Sequence, residues 1–250
     1  REIESDVAAG KRELESIKKE VAQAKLWGTV SPYKDSVRLS KMSAGQTDAN
    51  KEYVSITSSA RTTEPVVISG WTLESTVSGA RVQIPGGARL PRYGSQALIP
   101  IALESGESAL VVTGESPLGS SFHENTCVGY LDQYQNFSPA LSHQCPRPKE
   151  EMASFGNIPL SDDSCHEFVP RLSSCRQVTS DTSDLSSACR AFLSTNLSYT
   201  GCVKNHGTDP FFYNGKWRVY LERGNDLWRN EREIIRLLDG DGKTVSVLQY

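Results

Sequence analysis

Six cysteines, Cys127, Cys145, Cys165, Cys175, Cys189 and Cys202, fall within one 76-residue stretch of a 250-residue chain, and none lies outside it. An even set confined to the least regular part of a chain reads as a disulfide framework, and hence as an oxidising compartment. Zinc is the competing reading. Structural zinc sites pair their ligands as C-x2–4-C, whereas successive cysteines here stand 10 to 20 positions apart. The four histidines, at 123, 143, 166 and 206, offer no i, i+4 pair to complete such a site. Disulfides are therefore expected, with no metal and no cofactor. Six cysteines allow about 15 connectivities. Pairing near neighbours closes the shortest loops, so Cys127–Cys145, Cys165–Cys175 and Cys189–Cys202 is the expected pattern.

The chain around this stretch has two textures. Ile3, Val7, Gly10, Leu14, Ile17, Val21 and Ala24 recur at alternating spacings of four and three, which is the seam of a heptad helix over residues 1–27. Lys11, Lys18 and Lys25 occupy one flank and Asp6, Glu13 and Glu20 the other. In a parallel pair each acid meets a lysine five positions on in the partner, so a parallel homodimer through residues 3–25 is a candidate assembly. The same charges also suit a solvated helix, and Gly10 costs about 1 kcal/mol relative to alanine. From residue 28 onward, short runs rich in valine, isoleucine and aromatics alternate with Gly, Pro, Ser and Asn. Val54/Ile56 and Trp217/Val219 place apolar residues on one strand face, which indicates an antiparallel sandwich or barrel with Val54, Ile56, Trp71, Leu73, Ile84, Trp217 and Val219 in its core. This rhythm stops at about 122 and resumes at about 212. The expected organisation is a helix at 1–27 and a β domain over 28–250, interrupted at about 122–212 by a disulfide-rich, partly helical insertion.

Several function classes are disfavoured. The formal charge of −3 is not that of a general nucleic-acid binder. The longest apolar run, Ala97–Leu103, contains Pro100 and falls far short of the ~20 residues that span a bilayer. No H-E-x-x-H, G-x-S-x-G, phosphate loop or dinucleotide fingerprint occurs. His123-Glu124 and His166-Glu167 place a base beside an acid, as any polar loop does, and Asp162-Asp163 reads as a helix cap. Arg171, Arg176 and Arg190 offer a basic patch, Asn196-Leu-Ser198 matches a glycosylation sequon, and Asp239-Gly-Asp-Gly-Lys243 reads as a hairpin turn rather than a calcium loop.

Tyr53-Val-Ser-Ile-Thr-Ser58, Ile68-Ser-Gly70-Trp71-Thr-Leu73 and Val82-Gln-Ile84-Pro85 resemble the opening strands of the lamin-tail domain. Leu103-Glu-Ser-Gly106 through Thr113 is similar to its middle strand, and Trp228 followed by Ile234 through Val245 to its close. The resemblance covers about 36–122 and 213–250 and implies a mainly β, immunoglobulin-like β-sandwich. The cysteine-rich insertion departs from the animal members of that family, and the short leader helix favours the bacterial envelope type. This implies a non-catalytic binding or scaffold module, extracytoplasmic and either secreted or anchored upstream of Arg1, with a protein or glycan as partner. The alternatives are an accessory domain of an extracytoplasmic hydrolase or nuclease, and an oligomerising envelope protein.

Overall fold

The computed structural model describes residues 2–92 and 96–250, with side chains from residue 10 onward. Helix α1 (Glu2–Trp27) is followed by strands β1 (Val37–Lys41), β2 (Tyr53–Ser58), β3 (Val66–Val67), β4 (Thr72–Ser75), β5 (Arg81–Gln83), β6 (Gly87–Ala88), β7 (Ala102–Leu103), β8 (Ser108–Val112) and β9 (Ser121–Asn125). Four helices come next: α2 (Pro148–Phe155), α3 (Asp163–Phe168), α4 (Ser187–Asn196) and α5 (Tyr199–His206). Strands β10 (Tyr213–Tyr220), β11 (Ile234–Leu238) and β12 (Thr244–Gln249) complete the chain.

The strands form a six-stranded sheet in the order β1-β2-β8-β10-β9-β6, a four-stranded sheet in the order β12-β11-β4-β5, and the β3-β7 pair. Alternation explains how the two larger sheets share one core. Val37 and Leu39, Val54 and Ile56, Ala109 and Val111, and Trp217 and Val219 point inward from the first sheet. Leu73, Ile235, Leu237 and Val245 meet them from the second, with Trp71, Ile84 and Trp228 filling the same core. Burying a side chain of this kind is worth about 1.5–3 kcal/mol, so this layer is the main source of stability in the β body.

β10 is the strand on which the six-stranded sheet turns. It pairs in parallel with β8 and antiparallel with β9, while β6 adds in parallel beyond β9. Gly87 in β6 lies against Trp217, where a Cβ would come within 2.8 Å of the indole ring. Gly87 therefore enters β6 directly under the tryptophan ring, where only a glycine fits. Between β11 and β12, the Asp239 carboxylate accepts the backbone N–H groups of Asp241 and Lys243 and closes a tight turn.

The insertion begins later than the sequence rhythm implies. β9 belongs to the sheet, so the excursion runs from 126 to 212 and joins two adjacent antiparallel strands. Ser-Phe-His-Glu-Asn carries no strand signal because both of its faces are covered: Phe122 and Glu124 lie under the insertion while His123 stacks on Trp217.

The disulfides also depart from the expected pattern. They join Cys127 to Cys202, Cys145 to Cys175 and Cys165 to Cys189, so none of the three near-neighbour pairs forms. The reason is topological. Cys127 follows β9 and Cys202 stands in α5 shortly before β10, so the pairing of those strands brings the two ends of the insertion together. The minimum-loop rule holds for a featureless chain, and this chain is not featureless. In the chain-entropy account the Cys127–Cys202 bridge, spanning 75 residues, contributes about 4.5 kcal/mol and Cys165–Cys189, spanning 24, about 3.4 kcal/mol. Replacing Cys127 and Cys202 together with alanine is expected to lower chemical-denaturation stability by about 1 kcal/mol more than replacing Cys165 and Cys189. Peptide mapping without reduction should recover the three observed pairs.

Candidate functional site

The insertion is anchored by a buried ion pair. On β10, Trp217 and Val219 face the core, so Arg218 and Tyr220 face the opposite side of the sheet. There the Arg218 Nε–H donates to a carboxylate oxygen of Glu124 on β9, and both residues are buried. The remaining guanidinium N–H groups reach into the insertion, Nη1 to the carbonyl of Pro139 and Nη2 to that of Ala140 at 2.7 Å. Asn214 donates to the other oxygen of Glu124 at 3.1 Å. One arginine thus ties two strands and the 139–140 segment together. Around it Phe122, Val112, Ala88 and Tyr220 from the sheet pack against Val128, Leu131, Phe137 and Leu141 from the insertion.

The mouth of the insertion is closed as well. Thr126 N–H donates to the Phe212 carbonyl at 2.8 Å, which continues the β9–β10 pairing by one step. The Asn125 side chain accepts from Cys127 N–H and donates to the Tyr199 hydroxyl. Farther out, two short helices are built alike. Asp162 caps α3 by accepting from Cys165 N–H, and Ser186 caps α4 by accepting from Cys189 N–H. The Ser186 hydroxyl donates to Asp162 at 2.5 Å, and the two cysteines capped in this way are disulfide-bonded to each other. Asp162 is therefore a cap, satisfying an otherwise orphaned donor.

The histidines are dispersed. His123 is sandwiched between Tyr213 and Trp217, with ring centroids 4.6 and 4.5 Å away. Burial, and secondarily the Arg89 charge, lower its pKa to about 4, so it is neutral at physiological pH. His166 reaches the Pro159 carbonyl, and His143 faces Asp132 at 2.8 Å. His206 lies between two acids, Nε2 facing Glu151 at 2.5 Å and Nδ1 facing Asp209 at 2.8 Å. Burial alone would lower its pKa, but the hydrogen bonds to Glu151 and Asp209 outweigh this and raise it above the ordinary value. Each ring nitrogen faces a carboxylate oxygen, an arrangement that favours the protonated ring, and the pair of contacts ties α2 to α5. Among the described residues, no three His, Cys, Asp or Glu side chains are placed to hold a metal ion.

Of the arginines singled out in the sequence, Arg176 is exposed, and the other two are engaged in structure. Arg171 pairs with Glu167, while Arg190 donates to the carbonyls of Ser183 and Leu185, so these two cations serve separate local contacts. The Asn196 amide donates to Phe192 and Thr195 and accepts from Asn205, and Ser198 caps α5. The insertion holds six Lys and Arg against nine Asp and Glu, so the whole formal −3 of the chain resides in it. That balance opposes a polyanionic partner.

Its surface carries two conspicuous apolar residues. Leu160 is 91 % exposed and Phe211 89 %, the highest values of any large apolar side chain among the described residues. An open cleft of about 400 Å³ lies where the insertion meets the β body, lined by Asn50, Lys51, Glu115, Asn136, Phe137 and Tyr220. Both of its rings, Phe137 and Tyr220, are buried, so the cleft itself offers a sugar no stacking platform. The sequence does not single out Arg218 or Glu151, and it places Glu124 beside His123, whereas its partner in the structure is Arg218. A charge in a strand of alternating apolar residues was the available signal for Arg218. No protein-family model, curated protein or solved structure matches the chain.

Two outcomes follow from these contacts. Arg218→Met leaves Glu124 buried without its charge partner and is expected to cost about 3–5 kcal/mol in urea unfolding, while adding Glu124→Leu recovers much of that loss. The His206 bridge behaves in the opposite sense to a buried acid. A raised folded pKa gives stability that is fully present below the unfolded histidine value of about 6.5 and is lost as pH rises through the folded value. The stability gap between the wild type and His206→Gln should therefore shrink on going from about pH 6 to about pH 9. A constant gap across that range excludes the imidazolium bridge.

Proposed function

We propose that the chain is a non-catalytic recognition module of an oxidising, extracytoplasmic compartment. In this reading the β body is an immunoglobulin-like sandwich of the lamin-tail type, and the disulfide-bonded insertion is its binding surface. The resemblance in Gly70-Trp71-Thr-Leu73 and Leu238 to Val245 supports the family, and two sheets over one core are compatible with it. Three disulfides among six cysteines, with none free, support the compartment. No described helix is long and apolar enough to cross a membrane.

One observation carries the choice of surface. Leu160 and Phe211 stand almost fully in solvent on a segment that disulfides and the Arg218 contacts hold rigid. Exposed apolar anchors on a preorganised scaffold are what protein recognition uses, since little ordering entropy remains to be lost on binding. The acidic balance of the insertion favours a protein over a nucleic acid.

Photo-crosslinking residues placed at 160 and 211 should capture a discrete protein from the envelope fraction of the source cells, and the same residue at the exposed Val67 of β3 should not. Leu160→Ser and Phe211→Ser should abolish the capture while the melting temperature moves little, because exposed substitutions stay within about 0.5 kcal/mol. Equal labelling from all three positions removes the insertion as the binding surface. Retention on a glycan array that survives both substitutions points to a carbohydrate instead.

A further inference from the structure

We infer that α1 pairs in parallel with the α1 of a second copy of this chain. The helix contains 26 residues and is about 39 Å long, and its last turn is tied to the β body. The Leu26 carbonyl accepts from Arg236 at 3.5 Å, Lys34 sits over the Trp27 ring at 4.8 Å, and Gly28 at φ +58° ends the helix. Upstream of that turn the seam lies open. Leu14, Ile17 and Val21 are 51, 49 and 47 % exposed, and Gly10 and Ala24 on the same face are exposed too. Ile3 and Val7, which extend the seam in sequence, lie outside the described side chains. Among the described side chains this seam is therefore not covered by the domain, and helices in proteins draw most of their stability from packing such an apolar face.

The flanking charges identify the occupant and its direction. In a parallel pair each position before the seam faces the position after it on the partner, five residues on. Asp6 then meets Lys11, Glu13 meets Lys18 and Glu20 meets Lys25, each twice by symmetry. An antiparallel pair places the lysine flanks against each other and the acidic flanks against each other. Every such contact is repulsive, so the pattern selects against it. A partner of unrelated sequence would need this same alternation in reverse, and a second copy already has it. Pairing through α1 needs nothing from the surface of the insertion, so the two proposals stand or fall separately.

Sedimentation equilibrium of the full chain tests this directly, and the expected mass is twice that of one chain. The variant Lys11→Glu/Lys18→Glu/Lys25→Glu places acid against acid in its own homodimer, and Asp6→Lys/Glu13→Lys/Glu20→Lys places lysine against lysine. Each alone should sediment at half the wild-type mass, and an equimolar mixture should return to the full value. Recovery on mixing shows that neither variant was misfolded. A wild-type monomer at every concentration overturns the inference, including one that instead floats with vesicles of anionic phospholipid. A dimer indifferent to both charge variants overturns it as well, because the copies are then held by another surface.

Discussion

The Arg218 guanidinium is the contact on which the rest of the architecture depends. It sits on the central strand of the larger sheet, between a carboxylate of its own sheet and two carbonyls of the insertion. A buried charge is costly unless its donors are all engaged, and here the carboxylate and carbonyls together engage the three nitrogens. That requirement gives the insertion one place to lie. An apolar contact alone would tolerate sliding of the 137–141 segment over Phe122 and Tyr220, whereas a forked donor set against fixed carbonyls tolerates little.

Two stabilising strategies meet at this arginine. On the core side, β1, β2, β8, β10, β11 and β12 bury branched aliphatic and aromatic side chains, and the ladder hydrogen bonds satisfy their backbones. On the other side, the insertion has too small an apolar cluster to fold on burial alone. Leu185, Phe192, Leu193 and Leu197 gather around Cys165 and Cys189, and a second group gathers around the other four cysteines. Small cores need covalent support, and the six cysteines provide it within these two small clusters. Polar contacts finish the insertion: paired helix caps at Asp162 and Ser186, and the doubly bonded ring of His206. The β body also keeps buried acids. Glu52 accepts the N–H groups of Leu227 and Trp228 and Glu233 those of Arg229 and Ile234, which holds the segment before β11 against the core.

What the sequence made legible follows from how local each signal is. β2, β11 and the heptad of α1 announce themselves because one face is wet and one is dry, or because a seam repeats. β6 and β9 do not, since Gly87 is chosen for the closeness of Trp217 and the residues of β9 are covered on both faces. Cap residues such as Asp162 could be read from three-residue spacing. Arg218 with Glu124 and His206 with Glu151 could not, because each pair is separated by more than 50 positions and only the folded topology brings its members together. Disulfide connectivity failed for the same reason: sequence distance stood in for spatial distance.

The bridge between Cys127 and Cys202 changes what the β9–β10 pairing demands of a folding chain. Without it, two neighbouring strands must find each other across almost ninety intervening residues, a non-local search of the kind that slows β proteins. Once the bridge has formed, the covalent path from Asn125 to Tyr213 shortens to about a dozen residues, within the range of an ordinary loop. The sheet then zips as though the excursion were absent. Residues 128–201 become a side circuit whose length is nearly invisible to the strands it separates, and that freedom is what lets so large a segment occupy the middle of a β domain.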